Sequence, residues 1–149
     1  MSIADVFSTV LLDHYRYPRK FGKMDNPDVE MDGVNPLCGD EVFLQAKFDG
    51  DKITETAFTG KACAICMAST SMFCEQAPGS TLNELAEQKG RLFSLLEKKD
   101  LTEDERKQLG EIVSLEGVSQ LPARVKCATL AWETWKLMAK QLREGSANK

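Results

Sequence analysis

Apolar and polar residues alternate in the second quarter of the chain. Every second position between residues 41 and 48 is apolar: Val42, Leu44, Ala46 and Phe48. A period of two is typical of a strand with one buried face. Residues 49–51, Asp-Gly-Asp, have the composition of a hairpin turn, and residues 53–59 are rich in β-branched side chains. The pattern therefore predicts a hairpin within a small antiparallel sheet.

A period of three to four residues predicts helices on both sides of this hairpin. Residues 3–15 place one face at this spacing, formed by Ile3, Val6, Phe7, Val10, Leu11 and His14. A second helix is predicted at residues 64–76, before Pro78-Gly79. Thr81 and Glu84 have the spacing of a capping box, which predicts the start of a third helix. The core-facing leucines of that helix are Leu85, Leu92, Leu95 and Leu96.

The last helix is predicted to begin at Pro122, since proline suits the first helical position. Its apolar face consists of Cys127, Ala131, Trp135, Met138 and Leu142. Residues 23–34 are predicted to be irregular, residues 98–105 a charged surface turn, and residues 109–118 short helical or irregular. The chain is expected to fray from about Glu144. Strands followed by helices indicate an α+β fold, and 149 residues predict a single domain over residues 1–149.

The charge distribution and the length of the apolar runs limit the kinds of partner that the protein is expected to bind. The net charge is −4, and lysines and arginines are scattered, so the basic face that a nucleic acid needs is not expected. No apolar run approaches the ~20 residues that span a bilayer, and the N-terminus lacks a signal-peptide pattern. These features predict a cytoplasmic protein that binds neither nucleic acid nor membrane.

The five cysteines are the main candidates for chemistry. An odd number without a signal peptide argues against a disulfide framework and leaves core packing, metal binding or reactive thiols. Cys38 and Asp40 flank Gly39 on a predicted turn, Cys63 lies at a loop-to-helix junction, and Cys127 lies near the start of the last helix. Free backbone N–H groups at a helix start favour a thiolate.

Three thiolates and one carboxylate suit a tetrahedral zinc ion, but thiolates equally suit iron–sulfur clusters. The spacing does not match a paired CxxC ribbon or finger, so from spacing alone buried structural cysteines are an equal alternative. Cys63 and Cys66 form one CxxC, but a thioredoxin-like redox pair would need a βαβ context that is absent here. Cys66 and Cys74 are therefore expected in the helix core, as are Trp132 and Trp135.

Four sequence segments identify a family. Residues 35–40 (NPLCGD), 60–65 (GKACAI), 67–69 (MAS) and 117–130 (GVSQLPARVKCATL) resemble the U-type iron–sulfur cluster assembly proteins, the IscU/NifU N-terminal family. The resemblance runs from residue 12 to the last helix. Lys126 stands where the scaffold branch has a histidine, and residues 92–118 form an extended segment, so the chain is more similar to the SufU branch.

The resemblance implies a three-stranded antiparallel sheet covered by helices, and a zinc ion held by Cys38, Asp40, Cys63 and Cys127. It further implies that Cys38 accepts persulfide sulfur from a SufS-like cysteine desulfurase and passes it to downstream sulfur or cluster acceptors. On this view the chain is a sulfurtransferase-like partner rather than a stand-alone enzyme. The alternative is a scaffold that binds iron or a [2Fe–2S] cluster on the same side chains.

Four other residues qualify this interpretation. Arg124 lies three positions before Cys127 and either faces the site, where it would offset negative charge, or is a solvated surface residue. Ala62 and Cys66 stand where the family usually has glycine and often has serine. His14, the only histidine of the chain, is expected to form hydrogen bonds at a helix end rather than to bind a metal.

Overall fold

The computed structural model describes residues 8–147, with side chains described to residue 144, so the predicted helical positions 3–7 lie outside the described residues. The strands are β1 (Val29–Asn35), β2 (Asp40–Asp49) and β3 (Lys52–Lys61). The helices are α1 (Thr9–Arg16), α2 (Ala64–Gln76), α3 (Leu82–Leu96), α4 (Glu103–Leu109) and α5 (Val125–Ala147). Two 3₁₀ segments, Gly110–Gln120 and Pro122–Arg124, join α4 to α5.

The three strands form one antiparallel sheet in the order β1-β2-β3. The alternation predicted for β2 is confirmed, since Val42, Leu44 and Ala46 are buried. The predicted hairpin turn is also confirmed, with Gly50 at a φ of +65° between β2 and β3. An α+β fold with a small antiparallel sheet covered by helices is therefore what the chain adopts.

Strand β1 was not predicted from the pattern, and the expectation that residues 23–34 are irregular is wrong for its second half. The inward positions of β1 include Gly33 and Asn35, so the strand lacks a visible apolar alternation. Gly33 packs directly under α5, where a Cβ atom would lie 2.0 Å from Thr134 Oγ1. Position 33 is therefore glycine because α5 approaches too closely for a Cβ atom, and not because glycine favours a strand.

The start of α4 also differs from expectation. Residues 98–105 were predicted to be a turn, but α4 begins at Glu103 with a capping box formed by Thr102 and Glu105. The same pattern correctly predicted the start of α3, where Thr81 and Glu84 form both hydrogen bonds. A short, highly charged helix has no apolar stripe, so hydrophobic periodicity does not reveal it. The capping box of Thr102 and Glu105 was the sequence feature that could have predicted α4.

The last helix begins slightly later than predicted. Pro122 opens the short 3₁₀ turn, and α5 starts at Val125 and continues to Ala147, past the point where fraying was expected. The apolar face predicted for α5 is confirmed, because Cys127, Ala131, Trp135 and Met138 are buried. No helix among residues 8–147 is both long and apolar enough to cross a bilayer.

Helix α2 lies at the centre of the core. Cys66 and Cys74 are completely buried within it, as predicted. Its Phe73 ring packs edge-on against Trp132 of α5, with the ring centroids 4.9 Å apart, and both tryptophans are buried as expected. This packing brings the start of α2 and the start of α5 to the same end of the sheet as the β1–β2 turn.

Candidate metal centre

The turn between β1 and β2 carries the first two candidate ligands. Gly39 has a φ of +70°, a left-handed conformation that favours glycine, and it separates the partly buried Cys38 from Asp40, the first residue of β2. The Cys38 backbone N–H donates to the Asn35 carbonyl oxygen at 3.2 Å. The tight turn directs two neighbouring ligands, one thiol and one carboxylate, toward a single point.

Cys63 caps helix α2, as its position at a loop-to-helix junction predicted. Its Sγ accepts the Cys66 backbone N–H at 3.5 Å. Its own backbone N–H donates to Asp40 Oδ1 at 2.8 Å, and its thiol lies 3.7 Å from Asp40 Oδ2. The helix start therefore orients both the sulfur and the carboxylate, since free N–H groups there favour negatively charged partners.

Cys127, the third residue of α5, completes the cluster. Its Sγ lies 3.4 Å from Cys38 Sγ, and the Asn35 side-chain amide donates to it at 3.9 Å. The ligand atoms of Cys38, Asp40 and Cys127 all lie within 4.8 Å of one another. The structure thus brings together residues from the β1–β2 turn, the start of α2 and the start of α5, which are far apart in sequence.

The distances fit a tetrahedral ion. Two thiolates about 2.3 Å from a zinc ion are about 3.8 Å apart, and a thiolate and a carboxylate oxygen are about 3.6 Å apart. The corresponding separations are 3.4 Å between Cys38 and Cys127 and 3.7 Å between Cys63 and Asp40. Cys38, Asp40 and Cys127 can therefore hold a divalent ion, whereas the Cys63 sulfur contacts Asp40 but lies outside that 4.8 Å group and would have to move closer to join it.

The electrostatics of the cluster call for a cation. Burial raises the pKa of the Cys127 thiol, and the neighbouring Asp40, Cys38 and Cys63 raise it further. A group of anionic ligands destabilises its own charged form, whereas a bound metal ion deprotonates a coordinating thiol. Chemistry that needs thiolates in this cluster therefore depends on a positive charge.

Arg124 lies at the rim of the cysteine cluster, its solvent-exposed edge, and supplies one such positive charge. The neighbouring Cys127 thiol raises the pKa of the Arg124 guanidinium, and the charge of Cys63 raises it further. The residue is exposed. The structure places Arg124 at the surface, near enough to the cluster for the charges of the sulfurs to raise its pKa.

Two residues complete the comparison between sequence and site. His14 is not grouped with the cysteines, and its ring nitrogens form the predicted hydrogen bonds, with Ser71 and Glu111 as partners. Asn35 was not predicted as a functional residue, yet its carbonyl holds Cys38 and its amide contacts Cys127. The sequence feature that could have identified Asn35 is its position at the start of the NPLCGD segment.

The chain is similar in sequence to proteins of iron–sulfur cluster assembly. The chain is 40% identical over 129 residues to the zinc-dependent sulfurtransferase SufU of Bacillus subtilis (strain 168), covering 86% of this chain and 85% of that protein. It is 35% identical over 132 residues to the iron–sulfur cluster assembly scaffold protein IscU of Streptococcus pyogenes serotype M1, covering 88% of this chain and 80% of that protein.

A solved structure shows the same fold. A crystal structure described as an iron–sulfur cluster assembly scaffold protein for the SUF system (FiSufU), from Fervidobacterium islandicum AW-1, superposes with a TM-score of 0.84 at 34% identity. The match covers 93% of this chain and 99% of that one. The family model described as the NifU-like N-terminal domain matches residues 6–128. The chain therefore belongs to the NifU-like N-terminal domain family of iron–sulfur cluster assembly proteins.

Proposed function

We propose that this protein is a zinc-dependent sulfurtransferase that accepts persulfide sulfur from a cysteine desulfurase on Cys38. In this proposal Cys38, Asp40, Cys63 and Cys127 hold the zinc ion. The observation that carries the proposal combines burial with position. Asp40 and Cys127 are buried, Cys38 and Cys63 are partly exposed, and of these two only Cys38 lies at the tip of a turn, since Cys63 caps a helix.

The donor set and the similarities support zinc as the ion. Three sulfurs and one carboxylate match a four-coordinate zinc site, and the similar protein of Bacillus subtilis is named zinc-dependent. Zinc, when bound, stabilises the thiolate form of its cysteine ligands at neutral pH. Lys126, next to Cys127, is exposed and offers no imidazole at the position where the scaffold branch has a histidine.

The position of Cys38 suits a ligand that leaves and returns. Cys63 is fixed by the helix start through the Cys66 N–H, and Cys127 is buried in α5. Cys38 is held by one backbone hydrogen bond within a four-residue turn, next to a glycine. Its side chain can move away from the cluster without disturbing a helix or a strand, and a group from the partner can then take its place.

The transfer step is a thiol–persulfide exchange. The Cys38 thiolate attacks the outer sulfur of the donor persulfide, a new S–S bond forms at Cys38 Sγ, and the S–S bond of the donor breaks. The donor cysteine leaves as a thiolate, and the transferred sulfur keeps its proton. No net oxidation occurs, so the step needs no further reactant. Arg124 at the rim offsets part of the negative charge that accumulates.

Exposed apolar side chains next to the ligands in sequence support a protein partner at this end of the molecule. Leu37, beside Cys38, is 84% exposed, and Val34 is 54% exposed at the end of β1. Leu121, which precedes the turn that contains Arg124, is 38% exposed. Apolar side chains grouped beside a site are typical of protein interfaces. We propose that the desulfurase binds here and that downstream sulfur or cluster acceptors use the same surface.

A second candidate function is a scaffold that assembles a [2Fe–2S] cluster on the same four residues. Its support is the 35% identity to the Streptococcus pyogenes scaffold protein and the general affinity of thiolates for iron–sulfur clusters. Metal analysis and the visible spectrum of anaerobically purified protein separate the two candidates. One tightly bound zinc and a colourless protein favour transfer, whereas a brown protein with iron and sulfide favours the scaffold.

The transfer assay tests residue and role together. The zinc-loaded protein, a cysteine desulfurase and radiolabelled cysteine are mixed, and label on the protein is measured after non-reducing separation. We expect Cys38→Ser to lose labelling, while Cys74→Ser, in the core, retains it. Equal labelling of Cys38→Ser and the parent protein would show that Cys38 is not the acceptor.

A further inference from the structure

A second group of metal-ligating side chains lies outside the cysteine cluster. His14 of α1, Glu75 of α2 and Glu111 of the long 3₁₀ segment each place one ligand atom within 4.8 Å of the others. His14 is the only histidine of the chain and plays no part in the proposed transfer. Its members are 36 to 97 residues apart in sequence, so only the fold assembles the group.

The imidazole of His14 is completely buried and is held at both nitrogens. Nδ1 lies 2.8 Å from Ser71 Oγ, and Nε2 lies 3.1 Å from Glu111 Oε2. Ser71 Oγ also accepts the Arg19 backbone N–H at 2.8 Å, which fixes the hydroxyl in place. A metal-binding histidine normally donates its second ring N–H to such a partner, which sets the tautomer and aims the other nitrogen.

The charges around His14 leave a negative surplus. Glu75 and Glu111 are both exposed; Glu111 contacts the imidazole directly, and Glu75 has a carboxylate oxygen within 4.8 Å of it. Arg19 is the neighbouring cation, but its guanidinium pairs with Asp13 and contacts Glu75 through Nε at 3.4 Å. With Asp13 included, three carboxylates share one guanidinium, so the group carries a charge of −2 when the imidazole is neutral. A divalent cation would balance that charge.

We propose that His14 Nε2, Glu75 and Glu111 form a second divalent transition-metal site, distinct from the cysteine cluster. Two ligands about 2.0–2.1 Å from one ion are about 2.9–3.4 Å apart, a range that includes the 3.1 Å between His14 Nε2 and Glu111 Oε2. One imidazole and two carboxylates suit zinc or manganese, with water completing the coordination. The thiolates of the first site prefer softer ions, so the two sites differ in selectivity.

Such a site would fasten the 3₁₀ segment Gly110–Gln120 to α1 and α2. That segment leads directly into the turn Pro122–Arg124 and so to Cys127. Binding of a cation at His14 would therefore stabilise the segment that leads to Cys127, one residue of the cysteine cluster. The site acts as a structural clamp, and no step of sulfur transfer passes through it.

The single histidine makes the test specific. Protein with ¹⁵N-labelled histidine is first loaded with one equivalent of zinc and is then titrated with further Zn²⁺, while the His14 ring nitrogens are followed by NMR. We expect the Nε2 signal to shift as the metal binds there, while the single proton of the neutral ring lies on Nδ1 and is donated to Ser71 Oγ. Because the signal comes from His14 alone, it reports on this site whether or not the cysteine cluster behaves as proposed.

Matched variants give the comparison. Glu111→Gln should weaken the second binding event about tenfold or more, since even outer-shell changes at metal sites cost about 10–100-fold. Glu133→Gln is the control, because Glu133 has the same side-chain exposure of 48% and lies on α5. Ser71→Ala should weaken binding while leaving all three ligands in place.

Two results would overturn the proposal. In the first, the His14 nitrogens do not respond to Zn²⁺, which would make the contact with Glu111 a plain hydrogen bond or ion pair. In the second, Glu111→Gln and Glu133→Gln respond alike, which would make the binding adventitious. Repeating the titration with Mn²⁺, read as paramagnetic broadening of the His14 signals, checks the same assignment with an ion that thiolates bind poorly.

Discussion

The cysteines of this protein fall into two regions that differ in environment rather than in residue type. Cys38, Cys63 and Cys127 lie at the ends of secondary-structure elements, where the backbone and Asp40 direct polar atoms at their sulfurs. Cys66 and Cys74 lie within α2 and are completely buried. The sequence positions of Cys63 and Cys66 differ by only three, yet one caps the helix and the other packs inside it.

The comparison shows what makes a thiol chemically useful. Burial raises the pKa of the Cys74 thiol and is also the largest cause of the raised pKa of Cys66, so both stay neutral and inert. Burial raises the pKa of the Cys127 thiol too. A cation can nevertheless reach that thiol from the solvent side, where the partly exposed Cys38 and the exposed Arg124 lie. The two regions therefore differ in whether a cation can reach the thiols, and not in how many cysteines they contain.

The largest difference is expected in metal binding. Cys63→Ser should reduce bound zinc from about one per chain to nearly none, because a hydroxyl is a poor replacement for a thiolate ligand. Cys66→Ser, one helical turn later, should leave the zinc content unchanged. Elemental analysis after dialysis against a weak chelator provides the measurement. Equal losses in both variants would mean that Cys66 belongs to the site.

Alkylation should divide the two regions almost as sharply. In metal-free protein at pH 8, iodoacetamide should modify Cys38 rapidly, whereas Cys74 reacts only when the chain unfolds. Equilibrium unfolding constants imply at least about 1000-fold slower modification of Cys74. Mass spectrometry of the digested protein gives both rates from one sample. Fast modification of Cys74 in the folded protein would contradict its placement in the core.

The buried thiols should also make stability depend on alkaline pH. The folded-state pKa of Cys74 is raised above that of the unfolded chain, so the unfolded state loses this proton first and stability falls as pH rises. With an unfolded thiol pKa near 8.5, Cys74 accounts for a loss of about 1 kcal/mol between pH 8.5 and 9.5.

Urea unfolding at these two pH values tests that loss. Cys74→Ala should be less stable than the parent at pH 7, because it leaves a small cavity, but its stability should fall less steeply above pH 8.5. Identical slopes for the two proteins would remove Cys74 as the source.

The smallest expected effect concerns the positive charge at the rim. Arg124→Gln should slow alkylation of Cys38 in metal-free protein at pH 7 a few-fold, and 0.5 M salt should reduce the difference, because Arg124 is exposed and its charge is screened. Lys126→Gln, which removes a neighbouring exposed charge, is the control. The rate at Cys74 should not change in either variant. Equal effects of the two variants would indicate a general charge effect rather than a contact.

The sequence by itself determined most of the local structure. The alternation from Val42 to Phe48 predicted β2, Gly50 marked the turn after it, and the Thr81–Glu84 capping box marked the start of α3. These signals are local, since each depends on residues within one turn or one strand of each other. The family resemblance added the set of four candidate ligands, which spacing alone had left open.

Only the tertiary structure decided the remaining features. Strand β1 forms because it pairs with β2 and because Gly33 fits beneath Thr134. The contact between Cys38 and Cys127 joins residues 89 positions apart, and the group of His14, Glu75 and Glu111 joins three separate elements. No local pattern encodes such proximity, because it arises when the packing of α2 and α5 against the sheet fixes which chain ends meet.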